Sequence, residues 1–90
     1  MKNGNVYEFV DRIYFGDELW FLYKGDKYFL EGWYDDGRLD LYLYKMTGDG
    51  EKYVWKGGAS QYPVEEFLNA KIWDGKSFWE VEQDLEWVDC

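Results

Sequence analysis

The chain has no histidine, one cysteine and one proline in 90 residues. Without an imidazole there is no Ser-His-Asp triad, no Cys-His pair and no His-ligated metal centre. The single thiol, Cys90, has no second cysteine to bond with, so no internal disulfide staples the chain. No apolar run approaches the ~18–20 residues of a membrane span, and Met1-Lys2-Asn3-Gly4-Asn5 lacks the apolar core of a signal peptide. Positive charge is also scarce: 10 Lys and Arg against 19 Asp and Glu leave a net charge of −9. A surface of that sign repels phosphate, which argues against direct binding to nucleic acid or anionic membrane and for a basic protein partner. These absences lead us to expect a cytoplasmic, non-enzymatic protein that carries no cofactor and no metal.

What the chain does have is aromatic residues. Six Trp, nine Tyr and six Phe make up 23% of it, and hydrophobic residues 47%, enough for one packed domain spanning residues 1–90 and too much for a disordered acidic tail. Val6, Phe9, Val10, Ile13 and Tyr14 recur at helical spacing, with Asn5 and Glu8 as a capping pair and Gly16 as a stop, so residues 5–16 read as a helix. Residues 18–24 and 27–34 read as strands around a Gly25-Asp26 hairpin turn. Asp35-Asp36-Gly37 is the next reversal. Residues 38–45 alternate, with Leu39, Leu41 and Leu43 opposing Asp40, Tyr42 and Tyr44. Thr47-Gly48-Asp49-Gly50 reads as a looser loop before a fourth strand over Lys52–Lys56, and Gly57-Gly58 as the end of the sheet. Pro63 opens a second helix that runs to about Ala70 on Val64, Phe67 and Leu68. Trp73-Asp74-Gly75-Lys76 is a turn that carries an anchoring aromatic.

Residues 77–88 satisfy two patterns. Ser77 with Glu80 makes a capping box before Phe78, Val81, Leu85 and Val88 at helical spacing, while Trp79, Val81, Leu85 and Trp87 alternate with Glu80, Glu82, Asp84 and Glu86 as a strand would. The favoured reading is a helix that runs into a short strand near Trp87. The expected fold is α+β: a four-stranded antiparallel meander with an N-terminal helix and one or two C-terminal helices packed on it.

The run from Phe67 to Asp89, with Phe67-Leu68-Asn69-Ala70, Ile72-Trp73-Asp74-Gly75-Lys76 and Phe78-Trp79-Glu80, resembles a family of short acidic bacterial proteins, as do Glu8-Phe9-Val10-Asp11-Arg12 and Gly16-Asp17-Glu18. The resemblance implies no activity. In size, acidity and lack of catalytic residue types the chain also resembles phage and mobile-element anti-defence proteins, a likeness of physical type without a shared motif.

Two sets of residues are candidates for function. Ser77 to Cys90 holds five carboxylates and no cation. As a strand, it would line Glu80, Glu82, Asp84 and Glu86 on one face at ~6.6–6.8 Å intervals, close to the ~7 Å between phosphates along one DNA strand. Such a row, flanked by Trp79 and Trp87, would fill a basic groove made for nucleic acid. The bland alternative is a solvated face that keeps a small protein dispersed. The second set is the aromatic surplus. Leu19, Phe21 and Tyr23 oppose Trp20 and Leu22; Tyr28, Leu30 and Tyr34 oppose Phe29 and Trp33; Tyr42 and Tyr44 oppose three leucines. A sheet covered by helices on one side needs only one apolar face. Trp20, Trp33, Tyr42 and Tyr44 therefore form a possible aromatic surface, for a protein partner, a second copy in a homodimer, or a stacked small ligand. The turn acids Asp35, Asp36, Asp40, Asp49 and Glu51 lack the ligand spacing of a calcium loop. The functional expectation is an acidic protein-binding module, in its sharpest form a nucleic-acid-mimicking inhibitor of a nucleic-acid-binding or defence protein. The alternatives are a small-ligand binder or sponge and a housekeeping interaction protein.

Overall fold

The computed structural model describes residues 1–57 and 62–89. Gly58 and Cys90 lie outside the described residues. The order of elements is α1 (Val6–Tyr14), β1 (Leu19–Tyr23), β2 (Asp26–Asp35), β3 (Arg38–Thr47), β4 (Gly50–Gly57), α2 (Pro63–Asn69), α3 (Phe78–Val81), a 3₁₀ turn (Glu82–Asp84) and β5 (Leu85–Val88). The fold is α+β, but its antiparallel sheet has five strands rather than four, in the order β4-β3-β2-β1-β5. The chain returns after its helices to lay β5 beside β1, pairing Trp20 with Val88 and Tyr23 with Leu85. Among the described residues no helix is long and apolar enough to cross a membrane.

The ends of α1 form as the sequence dictates. The Asn5 side chain accepts hydrogen bonds from the amides of Tyr7 and Glu8, at 2.8 and 3.2 Å, satisfying two of the helix's orphan donors. At the other end the Gly16 amide bonds the Ile13 carbonyl and the Asp17 amide the Arg12 carbonyl, while Gly16 takes φ +74°. This is the Schellman closure that glycine permits. The first hairpin turn sits one residue before its expected position, and the second falls within the expected Asp35-Asp36-Gly37. Tyr23 pairs with Asp26 and Asp35 with Arg38, so the two-residue turns are Lys24-Gly25 and Asp36-Gly37, all four residues at positive φ. The third reversal is tight, not loose: Thr47 pairs with Gly50, and its hydroxyl bonds the Gly50 carbonyl at 2.9 Å.

All three helices cover one face of the sheet. Phe9 and Ile13 of α1, Val64, Phe67 and Leu68 of α2, and Phe78 and Val81 of α3 pack with Leu19, Phe21, Tyr23, Leu30, Leu39, Leu41, Leu43 and Leu85 of the strands. Trp73 is 1% exposed beneath the turn that carries it, with Phe21, Tyr23 and Tyr28 around its ring. That turn is closed by two bonds between Trp73 and Lys76, and Asp74 reaches from it to the Lys24 ammonium at 2.9 Å and the Tyr23 hydroxyl at 3.2 Å. The pairing, Lys24 first, holds the Asp74 carboxyl below its usual range.

Candidate functional site

Among the described residues the opposite face of the sheet carries no helix, and the strand register decides what stands on it. Val88, Trp20, Phe29, Tyr44 and Tyr53 are consecutive cross-strand partners from β5 to β4, so their side chains form one row across the whole sheet. Two residues along the strands to one side come Glu31, Tyr42 and Lys56; to the other come Glu86, Leu22, Lys27, Met46 and Glu51. Trp33 and Asp40 stand beyond Glu31 and Tyr42. The four aromatics expected at a surface, Trp20, Trp33, Tyr42 and Tyr44, thus share this face. Phe29 and Tyr53 complete it.

A β-bulge keeps the row intact at its β4 end. The register shifts between Leu43 and Tyr44, so that Leu43 faces Trp55 and Tyr44 faces Tyr53, with Val54 as the extra residue. Without it, Tyr53 and Trp55 could not both lie opposite these partners. The face is packed as well as apolar. Phe29 is 7% exposed yet stands apart from the helix-covered core; its neighbours on the face bury it. Trp20 stacks on Phe29 at 4.3 Å and 23°, and Phe29 on Tyr44 at 6.2 Å and 22°. Rings stacked across strands turn their flat sides to each other and their edges outward. Lys27 lies over the Trp20 ring and Lys56 over the Tyr42 ring, taking further flat surface. Tyr44 is pushed above the usual tyrosine range, first by burial and then by the Glu31 carboxylate.

The C-terminal carboxylates form no such row. Glu80 lies on α3, Glu82 and Asp84 on the 3₁₀ turn, and Glu86 on β5, so the strand spacing of ~6.6–6.8 Å does not run through them. They are not without counter-ions either. Glu80 accepts the Ser77 amide at 2.9 Å and the Lys71 ammonium at 3.0 Å, and Glu82 pairs with the Met1 amino group at 2.8 Å. Asp84 is exposed, and Glu86 stands on the open face beside Leu22. The two tryptophans expected to flank the carboxylates also part company. Trp79 is 46% exposed on α3, whereas Trp87 pairs with Phe21 and packs edge-on to Phe9 on the helix side.

Glu80 gives a pH signature. Its hydrogen bonds from Ser77 and its pairing with Lys71 lower its pKa from 4.5 to about 2. A depressed carboxylate contributes stability above its unfolded pKa and loses it as pH falls through the folded value. Glu80→Gln is therefore expected to lower the denaturation midpoint at pH 7. The gap to wild type should narrow below pH 4.5 and close near pH 2 in urea titrations at stepped pH. A gap that is constant across this range would show that the charge of Glu80 does not stabilise the capping box.

Two shallow grooves flank Trp87. One is lined by Asn3, Gly4, Glu8 and Asp89, and the other extends along Arg12, Asp17, Glu18 and Trp20. Both are open, and both include the carboxylates of Glu8 and Asp89. Among the described residues no cluster of three or more His, Cys, Asp or Glu could hold a metal ion. No family model, curated protein or solved structure matches the chain.

Proposed function

We propose that the chain is a non-enzymatic protein-binding module whose contact surface is the open aromatic face of the sheet. One observation carries this reading: a continuous row of four aromatic rings, Trp20, Phe29, Tyr44 and Tyr53, crosses the sheet on the side opposite every helix. Trp33 and Tyr53 on this face are 59% and 53% exposed. Large aromatics in a contiguous patch with charged neighbours are the usual anchors of protein interfaces. A stacked sugar or base needs exposed flat rings, and along the row Trp20, Phe29 and Tyr44 turn their flat sides to one another, with Tyr53 meeting Tyr44 edge-on. A phosphate-mimicking row needs carboxylates in strand register, and here they are spread over three elements. Both alternatives therefore have less support than a protein surface.

The test is affinity capture from lysate by the whole chain and by the Trp33→Ser, Tyr53→Ser double variant. More than half of each side chain is already in solvent, so the fold should tolerate both changes. We expect the proteins retained by the wild type to be lost by the variant. Equal retention would move the binding surface elsewhere, and the exposed carboxylates Asp84 and Asp89 would be the next place to look.

A further inference from the structure

We infer that the aromatic face binds a second copy of the chain, sheet against sheet, about a two-fold axis running along the aromatic row. This rests on the reading of that face as a protein-binding surface and names its partner.

The argument is the symmetry of charge about the row on β2 and β4, the strands that carry its lysines; on β1 the same axis sets Leu22 against the partner's position 18, just before the strand, and Glu86 of β5 has no described mate. An in-plane axis perpendicular to the strands exchanges the two sides of the row on each strand. On β2, Phe29 lies on the axis, with Lys27 two residues to one side and Glu31 two residues to the other. On β4, Tyr53 lies on the axis. Glu51 is two residues to one side; Lys56 is at the matching position on the other, because the bulge at Val54 adds one residue to that arm. The axis therefore sets Lys27 against the partner's Glu31 and Lys56 against the partner's Glu51. Each contact occurs twice, as an isologous interface requires. On β3 it sets Tyr42 against the partner's Met46, an aromatic on a thioether. Without the bulge, Lys56 would fall out of register with its mate.

Size and geometry agree. The strands from β1 to β5 hold 5, 10, 10, 8 and 4 residues; at ~3.3 Å per residue and ~4.8 Å between strands the face offers roughly 600 Å². Interfaces that hold stably begin at about 600 Å² per partner, so the face suits a dimer that dissociates on dilution. An axis perpendicular to the strands also leaves the two sheets nearly aligned, the common arrangement of packed sheets, with inner faces ~10 Å apart. The charge pattern argues against a basic partner at this face, since two lysines interrupt its carboxylates. It argues for a partner with the same interrupted pattern reversed.

Sedimentation of the full chain tests this. The wild type should form a dimer that dissociates on dilution. Lys27→Glu and Glu31→Lys should each weaken it at least about tenfold, because each sets like charges against one another twice. An equimolar mixture of these two variants should dimerise as the wild type does, because every cross-axis pair is again of opposite sign. Circular dichroism establishes that each variant is folded. If Lys27→Glu unfolds, the exposed pair Glu51→Lys and Lys56→Glu repeats the mixing test on β4. A wild type that stays monomeric to about 1 mM, or a dimer whose variants are not restored by mixing, overturns the proposal. If the chain is monomeric yet Trp33→Ser with Tyr53→Ser still abolishes capture of another protein, the second copy is excluded while the face remains a binding surface.

Discussion

Trp73→Ala is expected to cost about 3–5 kcal/mol, the range for removing a buried indole. A domain of this length has a total stability of about 5–13 kcal/mol, so the variant should lose about a quarter of it or more. The melting temperature should fall by roughly 12–40 °C, at about 4–8 °C per kcal/mol. Trp73 is 1% exposed, and the rings of Phe21, Tyr23 and Tyr28 stand 5.1 to 5.7 Å from it. No element on that side can collapse into the space, since the turn from Trp73 to Lys76 is pinned by its own two backbone bonds and by Asp74. Trp73→Phe separates volume from polarity. The indole N–H is buried without a hydrogen-bond partner among the described residues. Phenylalanine thus removes an unsatisfied donor, whose burial is itself unfavourable by about 1–3 kcal/mol, and should cost well under half of what alanine costs. Urea denaturation of both variants checks this; equal losses would mean that the N–H is bonded in solution.

The second large effect is Gly32→Ala. Glycine in the middle of a strand is normally unfavourable by about 0.5–1 kcal/mol relative to alanine, so the naive expectation is a gain. Here a Cβ would stand 2.8 Å from the Gly16 Cα and 3.0 Å from a methyl of Leu39. The first of these is backbone, held at φ +74° by the closure of α1. It cannot yield without opening the end of that helix, where the Tyr34 hydroxyl also bonds the Tyr14 carbonyl at 2.5 Å. Overpacking of this kind costs about 1–3 kcal/mol and outweighs the backbone gain. Gly48→Ala, where a Cβ meets nothing within 4 Å, serves as the control and should leave the midpoint near wild type. If Gly32→Ala melts with Gly48→Ala, α1 does not sit on the sheet at this point.

Local chemistry made much of this fold legible in the sequence. Asn5 and Gly16 bounded α1, Pro63 opened α2, and the alternation of Leu39, Leu41 and Leu43 set the face of β3. The first hairpin turn moved by one residue because sequence alone does not show which of Lys24, Gly25 and Asp26 takes positive φ; the pairing of Leu19 with Leu30 does. Residues 77–88 satisfied two periodicities because the segment uses both. Phe78, Val81 and Leu85 reach the core at helical spacing, and Leu85 and Trp87 then alternate along β5. A short strand near Trp87 was legible, but its place as the fifth strand of the sheet was not, because its partner is β1, more than sixty residues earlier, and no local signal encodes that pairing. Trp20, Trp33, Tyr42 and Tyr44 could be assigned to one face by counting in twos. Tyr53 could not, because the bulge at Val54 breaks the count on β4. The expected row of carboxylates failed for the same reason as the fifth strand: its geometry depended on a conformation that long-range pairing decides.

The far side of β5 has one more consequence. Lys2 bonds the Leu85 carbonyl at 2.8 Å and accepts the Trp87 amide at 2.9 Å, while the Leu85 amide turns back to the Glu82 carbonyl. Three of the groups that β5 would offer to an incoming strand are thus taken. Among the described residues β4 is the margin of the sheet without a paired neighbour, broken by the bulge and bearing Lys52 and Lys56. A fibre that grows by strand addition needs two free margins on every unit, one to receive and one to offer. Among the described residues this sheet has one fully open margin, so edge pairing through β4 ends after two copies, which hinders an aromatic-rich chain from polymerising through its backbone.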